Sequence, residues 1–351
     1  MSDSDSGMSE HEMADGIVKA IPPVLYKYRQ FDERTIELLC ADTVYYADPS
    51  TFNDPLDTKP CVEADCDVAT MERTVYELVR RRVEDEMQTG ARTVKYRGPK
   101  TVAHIEKHSH AAAQQMIDGL KYNAKDPEYS DDPPGPLASV LAYAIERELL
   151  KQYNKGILSL AMRYDCPLMW SHYGAQHRGI CIGYSVPPEA QRQLHEVRYG
   201  GNRNVRASAV AKMVLDRDEQ ARVAVDEAVL LRKAPDWHYE KEWRLLGSRG
   251  AVDSPLEMVE IVFGTRCSRT VMHTVASALN GRARPVQLYE MYEVRGTFEL
   301  RRSELDVNEL SVAYPRRALS IFEGFDTLPE GDEPQGQATR IASTISQPHA
   351  A

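Results

Sequence analysis

The chain has 351 residues, 42% of them hydrophobic and 27% charged, with a formal charge of −10 at pH 7. That length can bury a substantial core in one large or two medium domains, and no run of about 18 uninterrupted apolar residues is present to cross a membrane. Residues 1–20 hold one lysine against five acids and residues 326–351 one arginine against four, so the body between them is near neutral and has no global field to attract nucleic acid.

The polar start MSDSDSGMSEHEMADG has neither the basic nor the apolar region of a secretory signal, so a cytoplasmic protein is expected. Residues 1–20 read as a disordered leader, 21–325 as a single α+β domain and 326–351 as a disordered tail. Order begins near Ile21. VLYKYRQF is a strand with Leu25, Lys27 and Arg29 on one side and Tyr26 and Tyr28 on the other. DERTIELLCAD is a helix capped by Asp32 that buries Ile36, Leu39 and Cys40. The strand TVYYAD follows and runs into the turn PSTFNDPLD. This brings Ser50, Asn53, Asp54 and Asp57 to the sheet edge where Arg29 ends its strand; Asn53, Asp54 and Pro55 also suit a purely structural turn.

Helices are expected over 69–87 and 101–120, as part of an inserted helical lobe spanning about 69–155. Arg80, Arg81, Arg82, Arg92, Lys95, Arg97 and Lys100 cluster there, and a solvated helix face accounts for them. DPEYSDDPPGP is a mobile loop, LASVLAYAIERELLKQY a further helix, and KGILSLAMRYD leads back to the sheet.

Cys166 to Tyr184, CPLMWSHYGAQHRGICIGY, then crowds Trp170, His172, Tyr173 and His177 before a buried strand. Such side chains, apolar in body and polar at the tip, suit a pocket wall that stacks on a ring and hydrogen-bonds it; a packed sheet corner with satisfied histidines is the alternative. HEVRYG is a short strand, and one or two helices follow before Pro235. Read as a strand, Tyr239 to Leu246 sends Tyr239, Lys241, Trp243 and Leu245 to one face and Glu240, Glu242 and Arg244 to the other. That face suits either solvent or a site where a carboxylate is held beside an arginine. LEMVEIVFG is a buried strand, SRTVMHTVASALNG a helix closed by Gly281, and PVQLYEMYEV and FELRR final strands.

The six cysteines form no C-x-x-C pair, so reduced, mostly buried thiols and no metal site are expected. Walker, G-x-S-x-G and H-E-x-x-H patterns are missing.

LYKYR, YYADPSTFNDPLD, LMWSHYGAQHRGICIGY, WHYEKEWRLL and EIVFG, in that order over roughly residues 24–295, resemble a widespread bacterial family of a domain of unknown function. A more distant resemblance is to the ADP-ribosyltransferase fold, with an arginine or histidine on the first strand, aromatic and polar residues on middle strands and a glutamate on a late strand. The chain departs from it in having no clear H-Y-E order and no S-T-S triplet. The resemblance implies mixed or antiparallel central sheets and NAD as a substrate, without a metal. ADP-ribose would pass to a macromolecular acceptor, nucleic acid among the possibilities, in a defence, toxin or effector setting. It implies Glu242 or Glu240 as the carboxylate near the ribose, Arg29 on the pyrophosphate, and Tyr173 or Trp170 on the nicotinamide ring. Tyr28, Asn53, Asp54, His177 and Arg244 complete the expected binding set. Two other readings stand beside it. One is a non-catalytic nucleic-acid-binding module using His172, His177, Arg29 and Arg244 on phosphates. The other is a metal-independent nuclease or phosphotransferase with His172 as general base.

Overall fold

Strand β1 (Leu25–Arg29) is followed by α1 (Glu33–Ala41), whose first turn is closed by Asp32 accepting the Thr35 N–H at 2.8 Å, and by β2 (Thr43–Tyr46). The computed structural model describes residues 20–95, 98–126, 135–153 and 155–315. Nearly all of the expected leader, the tail 326–351 and residues 127–134 of the loop lie outside them. After β3 (Cys61–Glu63) the chain leaves the sheet for α2 (Val68–Thr93), α3 (Thr101–Asn123) and α4 (Pro136–Gln152). It returns through β4 (Lys155–Ala161), α5 (Pro167–His172) and β5 (Ile180–Ser185).

Shorter pieces come next: α6 (Pro188–Gln191), β6 (Leu194–Glu196), β7 (Arg198–Tyr199), β8 (Asn204–Arg206) and α7 (Ala207–Ala211). A π-helical turn joins α7 to α8 (Glu219–Leu230), and β9 (Arg232–Lys233) leads into a 3₁₀ helix, Pro235–Glu240. The chain ends through β10 (Glu242–Ser248), β11 (Gly250–Asp253), β12 (Glu257–Phe263), α9 (Arg269–Leu279), β13 (Gln287–Glu293), β14 (Leu300–Glu304) and α10 (Val307–Ala313).

Eight strands form one mixed sheet in the order β14-β13-β12-β5-β1-β4-β10-β6, with β12 and β13 parallel and the other neighbours antiparallel. This is the expected α+β class. Alternation sorts the strands onto two cores. Ile180, Ile182, Leu245 and Phe263 share one core with Met272 and Val275 of α9, while Cys181 and Val262 join Tyr26, Tyr28 and Trp170 on the other face. A separate core built from Met71, Val75, Leu141, Ile145, Val225 and Val229 holds the helical lobe. No helix among the described residues is long and apolar enough to cross a membrane.

One joint in the sheet differs from the rest. β1 pairs with β5 along all five of its residues but is in register with β4 only at Tyr26 and Ala161. The sheet therefore has a seam at its centre.

Three expectations change. The segment from Tyr239 is not strand throughout: Pro235 starts a 3₁₀ helix that runs to Glu240, Lys241 turns with φ 44°, and β10 begins only at Glu242. Proline presets the first helical turn and removes a donor a strand would need. Cys40 is exposed and Ile36 half-buried, and α1 buries Thr35 and Leu38 beside the expected Leu39; Cys61 is exposed as well. Three arginines of α2 are ion-paired: Arg80 with Glu77 and Glu84, Arg81 with Glu77, and Arg82 with Glu86 and the buried Glu148 of α4. These three charges are neutralised locally, which weakens the field the cluster offers a polyanion.

Candidate functional site

Alternation along β10 puts Glu242 and Arg244 opposite Trp243 and Leu245. Arg244 is completely buried. Its Nη2 donates to both oxygens of Asp57, at 2.9 and 2.7 Å, its Nε to Glu242 Oε1 at 2.9 Å, and its Nη1 to Leu230 O at 2.6 Å. A guanidinium can be held this far from water only when it is paired so fully.

Lys233, at the end of β9, brings its ammonium to the same carboxylates. Nζ lies 2.5 Å from Glu240 Oε2, 2.9 Å from Glu242 Oε2 and 3.6 Å from Asp57 Oδ2. The Tyr173 hydroxyl donates to the other Glu240 oxygen at 2.8 Å. The Glu242 N–H donates to the Tyr199 hydroxyl at 2.7 Å, fixing the start of β10.

The two glutamates are driven in opposite directions. Burial raises the Glu240 carboxyl above its ordinary range against the pull of Lys233. Burial pushes Glu242 up too, but Arg244 and Lys233 override it and hold that carboxyl at about 2. Burial, then Glu240, raise the Tyr173 phenol. For Lys233 burial favours the neutral amine, but Glu242 and Glu240 outweigh it and raise the ammonium's pKa.

A cavity of about 220 Å³ opens at the seam between β1 and β4 beside this cluster. Tyr26, Lys27 and Tyr28 of β1 line it with Ser159 and Ala161 of β4; Phe52, Asn53, Asp54 and Asp57 come from the loop after β2, and Tyr173, Trp237, Glu240 and Glu242 complete the wall. Asp54 ties two walls together, accepting the Leu56 N–H on one oxygen and the Trp237 indole N–H on the other, each at 2.8 Å.

Of the residues singled out in the sequence, Glu240, Glu242, Tyr28, Asn53, Asp54 and Tyr173 line this cavity, and Arg244 stands behind Glu242. Four do not line it. Trp170 is completely buried with its indole N–H on Tyr164 O at 2.7 Å and its ring edge-on to Tyr28 at 5.1 Å, so it is core and offers no platform for a ligand ring. His172 is exposed at the end of α5, its ring 6.4 Å from that of Trp237. His177 ends a run of three left-handed residues with Ala175 and Gln176 and keeps a buried Nδ1 without a hydrogen-bond partner; burial and Arg266 lower its pKa. Arg29 lies outside the lining, where burial disfavours its charge and Tyr184 and Asp32 support it.

Sequence reasoning gives Lys27, Lys233 and Trp237 no part in a site, and places Asp57 at the sheet edge without its ion pairs to Arg244 and Lys233. Lys27 carried a usable signal, a lysine between two tyrosines in a strand otherwise built for burial. Alternation alone puts it on the face away from Tyr26 and Tyr28, and the seam is what lets all three line one cavity.

The model of a family described as "Protein of unknown function (DUF2971)" matches residues 169–245. That segment holds Tyr173, Lys233, Glu240, Glu242 and Arg244; LYKYR, YYADPSTFNDPLD and EIVFG lie outside it. Comparison with curated proteins and with solved structures finds no match.

Proposed function

We propose that the chain is an enzyme of ADP-ribosyltransferase-like architecture that cleaves the nicotinamide glycosidic bond of NAD and passes ADP-ribose to a macromolecular acceptor. The observation that carries this reading is the pair of carboxylates on one ammonium, Glu240 raised and Glu242 held low. Neighbouring acids pushed apart in this way divide the work of proton transfer and charge stabilisation. The first strand and the glutamate-bearing late strand meeting at one cavity agree with the layout of that fold, with Lys27 standing where Arg29 was expected.

In this scheme the bond from the ribose C1′ to the pyridinium nitrogen breaks, and its electron pair leaves with neutral nicotinamide. Positive charge develops on the sugar, and the anionic Glu242 stabilises it through the field of the cavity. Glu240 takes the proton that the acceptor loses as it attacks C1′; a carboxylate raised toward neutrality is the better base. Phe52 and Trp237 supply flat apolar surface for the nicotinamide. The donor set thus fits the substrate: an aromatic wall for the base, a carboxylate for the sugar and an ammonium for a phosphate. Leu56 and Leu168, exposed and next in sequence to residues lining the cavity, provide apolar surface for a macromolecular acceptor.

The test is release of nicotinamide from NAD by the full chain, alone and with DNA, RNA or cell lysate. Release that disappears in Glu240→Gln supports the reading. No release under any condition, from folded protein, overturns it.

A further inference from the structure

Lys27 occupies an unusual position for an ammonium. It sits in the middle of the sheet, on the strand that borders the seam, and lines the cavity there. Its one hydrogen bond among the described residues goes to Ser159 O at 3.0 Å, a carbonyl of β4 at a level where β1 has left that strand. No carboxylate lies at ion-pair distance from it among those residues, although four line the same cavity: Lys233 and Arg244 already engage Asp57, Glu240 and Glu242, and Asp54 accepts from Trp237 and the Leu56 N–H. Burial lowers its pKa to about 8, Arg29 and Lys233 push it the same way, and Glu242 and Glu240 act in opposition. Asp54 and Asp57, from the loop after β2, are the remaining charged groups of the lining. A desolvated lysine beside other cations is the setting in which an amine becomes a nucleophile.

We propose that Lys27 is a nucleophilic amine that condenses with the carbonyl carbon of a small aldehyde or ketone held in the cavity, forming an imine. The neutral Nζ gives its lone pair to the carbonyl carbon, and the π pair moves to the oxygen, which takes a proton from the Glu240 carboxyl. The nitrogen returns a proton to Glu240, leaving a neutral carbinolamine. A second protonation by Glu240 expels the hydroxyl as water and leaves a protonated imine; the sum is amine, carbonyl and one proton in, iminium and water out. Glu240 suits the shuttle because burial raises it, and the Tyr173 hydroxyl on its Oε1 holds it in place. The inference does not rest on NAD, since any small aldehyde that enters the cavity meets the same amine.

The full chain is incubated with propanal and a mild imine reductant near neutral pH, and the alkylated lysines are mapped by mass spectrometry. Lys27 is expected to react at least about tenfold faster than the exposed Lys107 and Lys241, because far more of it is neutral. Its rate should level off above about pH 8, while the exposed lysines continue to speed up toward about pH 10.4. Glu240→Gln and Tyr173→Phe should slow Lys27 and leave Lys107 unchanged. A Lys27 that stays unmodified in folded wild type, or whose rate rises in parallel with the surface lysines, overturns the proposal. Nicotinamide release is read separately, so failure of either idea is visible without the other.

Discussion

Glu240 and Glu242 share a single ammonium: Lys233 Nζ lies 2.5 Å from the first and 2.9 Å from the second. What separates them is the second cation, since Arg244 pairs with Glu242 and not with Glu240. One carboxylate is therefore fixed as an anion, and the other can exchange a proton.

Replacing the two should have different consequences. Glu240→Gln should leave the fold intact and reduce nicotinamide release by roughly 10²–10³-fold, the usual contribution of a positioned acid or base. Glu242→Gln should cost on the order of 3 kcal/mol of stability, because it leaves buried cations short of charge. Urea melts and release assays on both variants separate these outcomes; equal loss of stability in the two would contradict the division of roles.

Acid should act through Glu242. Its folded carboxyl is held at about 2, below an unfolded value of about 4.3. Its contribution is thus complete above the unfolded value and disappears as the pH falls through the folded one. Urea midpoints of wild type and Glu242→Gln should differ at neutral pH and converge as the pH approaches 2.

Lys27 should show the opposite sign. Its folded amine is lowered to about 8, so the folded state gives up this proton before the unfolded chain does. The ammonium opposes folding at neutral pH, and that opposition fades as the pH rises toward about 10.4. Lys27→Met should gain about 1–2 kcal/mol at pH 7. Its advantage should shrink in alkaline solution, as thermal melts at several pH values would show. A Lys27→Met protein less stable than wild type at pH 7 would contradict this.

His172→Ala should change any activity by no more than about twofold, because the ring is exposed and lines no part of the cavity. A phosphodiester cleavage that is abolished in His172→Ala would revive a general-base role for it.

Much of this was legible in the chain. Asp32 as the cap of α1 and the common face of Glu242 and Arg244 both follow from local rules of capping and alternation. The network itself was not, because Asp57 lies far in sequence from Lys233 and Arg244 and only tertiary packing brings it to them. Trp170 misled for a related reason. Its polar tip suggested a ligand, but Tyr164 O already satisfies it. Arg29 closes the first strand, but the seam brings Lys27 of the same strand to the cavity.

A sheet whose central strands share one bridge, Tyr26 with Ala161, is mechanically two leaves, β14-β13-β12-β5-β1 and β4-β10-β6, hinged on a common spine. What spans the gap is side chains, such as the Lys27 ammonium on the Ser159 carbonyl. A molecule bound in the cavity becomes mortar between the leaves. It should slow amide exchange along β1 and β4 together, stiffening the core of the protein from a site that looks, by its chemistry, like a place for reaction.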